Sequence, residues 1–449
     1  MDKRIENLLQ WINNTVDETY EPSTHSYISP KTIVKDDAEW GRGICATEPV
    51  RTKELIIRIP PSFLLNYTTV LKHICRHNDA NKLEDPHYLK VYIPPTEVKD
   101  EFTKIYSFMN VEDLTNLSSF QLLSLYITFE SQRQESSFWK PFLDMLPPIS
   151  DFVSVPLTWH VLKVPQWEKL FDSLPESTRK HAEKTIQRFE SDYETVCSLL
   201  KSKIEPNTTT TTINDDTSLL LPIDLFLWAW MCINSRCLYM DMPQKKNNSD
   251  NFTMSPYVDF LNHSCDDQCS LKIDSTGFQV FTGVSYKPGD QIFLSYGPHS
   301  NEFLLCEYGF MLNENKWNDL DVSSYILKAL TAQQVSYLKE NDYFGDYTIN
   351  VDSGPSFRTE IALATMQEDQ PSTSRKLQAL VNGMTDGDAY ELNSKILLDE
   401  IFKQVIKECE FKKNMNPIDA NDDSNTILRK KVIKKLYDDR NFIVERHSL

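Results

Sequence analysis

Two dense polar clusters stand out as candidates for chemistry, Asn262-His263-Ser264-Cys265 and Ser295-Tyr296-Gly297. A tyrosine hydroxyl at the end of a strand can orient a polar reactant. An Asn-His pair either binds a ligand or ties a buried turn. A third candidate is Arg236, preceded by Ser235, at the polar end of an otherwise apolar run. Its planar guanidinium suits an interior carboxylate and equally suits the negative end of a helix. A fourth is Trp40-Gly41-Arg42-Gly43-Ile44-Cys45-Ala46, where two glycines flank one basic residue. That pattern reads as a hairpin turn or as backbone that passes close to a ligand. Cys265 has no identifiable general base and does not read as a nucleophile. Cys265 and Cys269 have no second pair to complete a zinc site, so no metal is expected.

The elements that must position these residues are legible in outline. Phe278 to Val284 is aromatic and β-branched, as strands are. Lys287-Pro288-Gly289-Asp290 supplies a turn, and Gln291 to Tyr296 reads as the strand returning from it, giving a hairpin between the two polar clusters. Ser300 is placed to cap a short helix through Glu302 and Leu305, and Gly309 to end it. Ile223 to Arg236 is apolar almost all round through Ile233, which predicts a buried helix. Ile5, Leu8, Leu9 and Ile12 have helical spacing, and Ile28 to Ile59 reads as strands. Residues 65–217 are helix-rich, with Phe120 to Ile127 as the clearest apolar run, while residues 205–218 and 241–252 read as polar loops. Beyond Leu312, helical patterns recur with polar breaks, around Tyr325 to Leu338, Arg358 to Met366, Ser374 to Met384, Leu392 to Glu410 and Thr426 to Tyr437.

Composition bounds the partners. The chain has 449 residues and a net charge of −18, which disfavours direct nucleic-acid binding, since phosphate neutralisation needs clustered Lys and Arg. The same charge suits a basic protein partner or solubility alone. Nine cysteines in no regular framework fit a reducing compartment. The amphipathic start is not a signal peptide, and the longest apolar stretch, Leu225 to Ile233, is too short to span a bilayer. The expectation is a soluble, cytoplasmic or nuclear, monomeric protein with no membrane association.

Taken in order, Asn262-His263-Ser264-Cys265, Gly289-Asp290-Gln291-Ile292, Ser295-Tyr296-Gly297 and Tyr308-Gly309-Phe310 resemble the C-terminal half of a SET domain. That family comprises S-adenosylmethionine-dependent protein methyltransferases. Ser300-Asn301-Glu302-Phe303, leading to Tyr308, is similar to the Rubisco large-subunit methyltransferase-like branch. The resemblance implies an α+β fold: a SET domain of small β-sheets with a helical insertion, followed by a C-terminal all-helical substrate-binding domain. The implied bounds are 20–64 and 218–312 for the two SET parts, 65–217 for the insertion and 313–449 for the C-terminal domain.

By the same resemblance Tyr296 matches the catalytic tyrosine and also borders the cofactor, Tyr308 is the second tyrosine of the lysine pocket, and Phe310 packs on the cofactor. Asn262 and His263 match the cofactor-binding pair, and Arg236 lies in the same pocket. The main chain of Gly41, Arg42 and Gly43 matches the first cofactor loop, where Trp40 stands in place of the acidic or small residue frequent in the family. Ser235 and Asp259 match positions near the target amine. The implied activity is S-adenosylmethionine-dependent lysine N-methylation of a non-histone protein, either a ribosomal protein or a translation factor. One relative with this architecture modifies histidine, but Tyr308 fits the lysine enzymes. A catalytically idle scaffold could lose Tyr296, Asn262 or Arg236, and all three are present.

Overall fold

The computed structural model describes residues 2–14, 25–37, 40–78, 91–94, 99–204, 217–240, 251–274 and 276–448. The polar stretches 205–216 and 241–250, read as loops, lie outside these residues. The chain forms two compact units, 1–152 with 185–297, and 153–184 with 298–449.

Among the described residues the first unit carries eleven short strands. They are β1 (Tyr27–Ile28), β2 (Thr32–Asp37), β3 (Gly41–Ala46), β4 (Leu55–Ile59), β5 (Leu65–Asn66), β6 (Cys237–Tyr239), β7 (Phe252–Met254), β8 (Asn262–His263), β9 (Cys269–Asp274), β10 (Gly277–Thr282) and β11 (Gln291–Leu294). They build three small sheets, ordered β1-β4-β10-β9, β2-β3-β11-β8 and β5-β7-β6. The hairpin expected between residues 278–284 and 291–296 is therefore not formed. β10 pairs with β4 and β9, whereas β11 pairs with β3 and β8. The turn at 287–290 is present, but it carries the chain from one sheet to another. Tyr286 bridges to Val50, and the Gly289 N–H donates to the Ala46 carbonyl (2.8 Å), so the turn is tied to the segment after β3.

The core of this unit lies where the helix Ser119–Gln132 meets the helix Ile223–Arg236. Ser118 and Gln121 close a reciprocal capping box at the start of the former. Phe226, Leu227, Trp230, Met231 and Ile233 are fully buried in the latter, as its apolar pattern predicts. Each side chain of that size stabilises the fold by about 1.5–3 kcal/mol on burial. The Trp230 ring meets Phe120 at 4.9 Å, and its Nε1–H donates to Asp192 at 3.0 Å, so the indole is buried with its polar atom satisfied.

The second unit is helical, with one addition to the sequence expectation. Three short strands, β12 (Asp319–Asp321), β13 (Thr348–Asn350) and β14 (Gly354–Pro355), form an antiparallel sheet. The long helices Asp388–Met415 and Ser424–His447 pack together, with Val405, Cys409, Tyr437 and Val444 buried. The helix Asn301–Tyr308 starts at Ser300, whose hydroxyl accepts from the Phe303 N–H, and ends at Gly309 in a left-handed conformation (φ 86°). It belongs to this unit because residues 153–184 hold it there. Ser154 Oγ donates to the Gly309 carbonyl at 2.6 Å, and His181 meets the Glu307 carboxylate at 2.5 Å. The units thus divide the chain at 152/153, 184/185 and 297/298, within and beside the blocks read from the sequence. Among the described residues no helix is long and apolar enough to cross a membrane.

Candidate active site

In the first unit, β8 and β11 run parallel, pairing Asn262 with Phe293 and His263 with Leu294. The two polar clusters therefore leave neighbouring strands side by side, and the Ser264 N–H donates to the Leu294 carbonyl to extend the pairing (3.2 Å). Beyond β11 the Tyr296 N–H donates to His263 Nδ1 at 3.0 Å. With Nδ1 an acceptor, the neutral imidazole carries its proton on Nε2. The two rings stack at 5.0 Å with 28° between their planes. The Tyr296 hydroxyl donates to the Leu261 carbonyl at 2.7 Å. Both ends of Tyr296 are thereby tied to the segment that carries Asn262 and His263.

Asn262 reaches in the other direction. Its Nδ2 donates to the Arg42 carbonyl at 3.1 Å and, more weakly, to the Trp40 carbonyl at 3.5 Å. These carbonyls belong to the hairpin of β2 and β3, whose last register pair is Asp37 with Gly41. Gly41 sits at φ +73° with open space where a Cβ would project. Gly43 is crowded, since a Cβ there would meet Gln291 Nε2 and Trp40 Cζ3 at 2.7 Å and Asn262 Nδ2 at 2.8 Å. The Arg42 guanidinium turns away from the loop. It donates to the Met145 carbonyl (2.9 Å), pairs with Asp36 (3.3 Å) and lies over the Phe260 ring. The loop therefore offers backbone, while the arginine side chain serves the fold.

Arg236 at the helix end finds an interior carboxylate, that of Asp259. Its Nη1 donates to the Asp259 carbonyl at 2.9 Å and to Oδ2 at 3.2 Å. The Asp259 side chain is only 1% exposed. Burial raises the pKa of its carboxyl, against the opposing pull of Arg236. One atom of each partner, Arg236 Nε and Asp259 Oδ1, is buried without a protein partner. Tyr257, just upstream, is held at φ +71° although it is bulky and buried, a costly conformation that gathers at functional sites. The neighbouring Ser235 hydroxyl donates back to the Met231 carbonyl at 2.7 Å within its own helix.

The candidates divide between the units. Gly41, Arg42, Gly43, Ser235, Arg236, Asp259, Asn262, His263 and Tyr296 are in the first, Tyr308 and Phe310 in the second. In the second, the Tyr308 and Phe310 rings meet edge-on at 6.1 Å, and Phe303 stacks on His299 at 4.1 Å. Sequence reasoning missed the Leu261 and Met145 carbonyls, which any residue type could supply. It also gave no role to Gln291, which stands opposite Cys45 of the loop strand.

Residues 41–297 match the family described as SET domain, and residues 318–448 match the Ribosomal lysine N-methyltransferase 2 C-terminal domain. Ribosomal lysine N-methyltransferase 2 of Saccharomyces cerevisiae is 31% identical over 447 residues, covering 89% of each chain. Ribosomal lysine N-methyltransferase set11 of Schizosaccharomyces pombe is 31% identical over 193 residues, or 41% of this chain and 50% of that protein. A solved structure of Rubisco LSMT bound to AdoMet superposes with a TM-score of 0.55 over 100% of this chain and 91% of that one. At 14% identity that likeness shows the shared fold. The chain belongs to the SET-domain family, and to the group within it that carries the C-terminal domain of Ribosomal lysine N-methyltransferase 2.

Proposed function

We propose that the protein is an S-adenosylmethionine-dependent protein-lysine N-methyltransferase that acts on a ribosomal protein. The relatives named as ribosomal lysine N-methyltransferases support the substrate class. The observation that carries the chemistry is the double tether of Tyr296, through its N–H to His263 and its hydroxyl to Leu261.

The residues fit the cofactor. Arg236 Nε and Asp259 Oδ1 are a buried donor and a buried acceptor without protein partners, and the Gly41 backbone faces open space. Such a set complements a polar ligand. Gly41, Arg42 and Gly43 would hold it by main chain, and Arg236, Asn262, His263 and Tyr296 would line it. When bound, S-adenosylmethionine supplies a methyl group on a sulfonium. Transfer is an in-line displacement that needs alignment more than acid–base power. The lysine amine must arrive uncharged, which desolvation favours. A tyrosine hydroxyl that donates to a carbonyl meets a further group as an acceptor, so Tyr296 orients the amine through an N–H. Ser235 and Asp259 would stand toward the amine, and the parts given to Tyr308 and Phe310, in the second unit, rest on the family resemblance alone.

The reading takes the enzyme as a monomer in the cytoplasm or nucleus. Its acidity, −18 overall, suits a basic substrate protein and disfavours direct nucleic-acid binding. The test is incubation of labelled S-adenosylmethionine and purified enzyme with ribosomal proteins from cells lacking it. Methyllysine recovered from a ribosomal protein supports the reading. Label on histidine, or none, contradicts it.

A further inference from the structure

The corner around Gly43 gathers more than the loop needs. Trp40 Cζ3, Gln291 Nε2 and Asn262 Nδ2 all come within 2.8 Å of the point where a Gly43 Cβ would stand. Three side chains thus converge on one glycine, and each has a different status. The Asn262 amide is engaged by the Arg42 and Trp40 carbonyls. Gln291 Nε2 is buried without a protein acceptor, which is unfavourable unless something meets it. The Trp40 indole covers Gly43 yet remains 36% exposed, so one side of it is available.

The polar atoms here have the complementarity of an α-amino acid. Each backbone carbonyl has two lone pairs, so Trp40 and Arg42 can each accept a second hydrogen bond after that from Asn262, as an α-ammonium requires. Gln291 Nε2 is a donor beside them, as the adjacent carboxylate requires. S-adenosylmethionine carries these two groups on one carbon and has no other anionic group. Adenosine alone would leave both demands unmet.

We infer that Trp40 and Gln291 are cofactor-binding residues: the Gln291 amide donates to the methionyl carboxylate, and the Trp40 indole covers that end of the molecule. This rests on the methyltransferase reading above and adds two side chains to it. Gln291 fixes which end of the cofactor enters the corner, and Trp40 keeps water from competing for the carboxylate.

The test is calorimetry and tryptophan fluorescence on the full chain, with S-adenosylmethionine and with its decarboxylated form. The wild type is expected to bind the carboxylate-bearing form at least tenfold more tightly. Gln291→Leu should lose most of that preference while binding the decarboxylated form as the wild type does. Trp40→Ala should weaken binding about tenfold, Trp40→Phe only a few-fold, and Trp40→Phe should lose part of the fluorescence change on binding. Thermal melting of each variant separates loss of fold from loss of contact, and Gln291→Glu, which keeps the shape and repels the carboxylate, should bind more weakly than Gln291→Leu. Equal preference in wild type and Gln291→Leu, with Trp40→Ala binding normally, overturns the inference and leaves the methyltransferase reading standing. Failure of the wild type to bind either compound overturns both.

Discussion

His263 and Tyr296 hold each other twice: the Tyr296 N–H donates to His263 Nδ1 at 3.0 Å, and their rings stack at 5.0 Å. The histidine thus places the tyrosine. His263→Ala strands the Tyr296 N–H at a cost of about 1–3 kcal/mol if it stays buried, and it lets the phenol drift. His263→Asn restores an acceptor at a similar reach. The expected order of kcat is wild type, His263→Asn, His263→Ala, with the alanine variant lowest by about tenfold or more; steady-state kinetics on one substrate preparation checks it.

The two loop glycines should fail differently. Gly41→Ala meets nothing within 4 Å but must adopt φ +73°, a strain of roughly 1–2 kcal/mol. Gly43→Ala has an ordinary backbone but presses on Trp40, Asn262 and Gln291, an overpacking cost of about 1–3 kcal/mol. Chemical denaturation should show both destabilised. Cofactor titration should show the larger loss for Gly43→Ala, because it displaces the side chains at the loop.

Removing the charge of Arg236 leaves Asp259 buried and unpaired. Arg236→Leu is expected to cost about 3–5 kcal/mol, the range for breaking a buried pair, lessened because the arginine side chain is 27% exposed. Asp259→Asn in the same background should recover part of that loss. A double-mutant cycle in urea measures it, and independent, additive effects would contradict the pairing.

Acid stability should reflect His73. It is fully buried, accepts from the Tyr126 hydroxyl and donates to the Tyr92 carbonyl, both at 3.0 Å. Burial first, then the charge of Arg76, lowers its pKa to about 3. The unfolded chain protonates it below its ordinary value of 6.5 while the native chain does not. Its contribution is therefore complete above that pH and is lost as pH falls toward 3, at up to about 1.4 kcal/mol per pH unit. His77, lowered to about 4 chiefly by burial, acts in the same direction. Denaturant midpoints between pH 7 and pH 4 test the slope.

Asp319 gives the opposite sign. Burial, reinforced by Glu302 and Asp321, raises its carboxyl to about 6. The native state prefers it protonated, so its penalty is absent below the ordinary value of 3.8, grows as pH rises from there and is complete above about 6. Asp319→Asn should stabilise the protein at pH 8 by on the order of 1 kcal/mol and change little at pH 4. Melting curves at the two pH values decide it.

Local signals were legible in the sequence. The apolar runs at 120–127 and 223–233 are buried helices, and Ser300 and Gly309 cap the helix between them. Pairing was not legible. The segments after Phe278 and Gln291 have strand composition and a turn between them, yet each takes its partners from elsewhere in the chain. The sheet of β12, β13 and β14 escaped because strands of two or three residues leave no periodicity. Asn262 lies 220 residues from the Arg42 carbonyl that it holds, and no local pattern reports such a contact. Arg236 was read as meeting a carboxylate and Asp259 as standing near the amine, and the fold brings the two together.

The central claim is tested most directly by Tyr296→Phe. The ring, its stacking on His263 and its N–H bond remain, while the hydroxyl proposed to meet the amine is gone. Single-turnover methylation of ribosomal protein should fall about a hundredfold or more, the loss typical of a positioned transition-state contact, with S-adenosylmethionine affinity within a few-fold of the wild type. A Tyr296→Phe enzyme that methylates lysine within a few-fold of the wild-type rate would contradict the account.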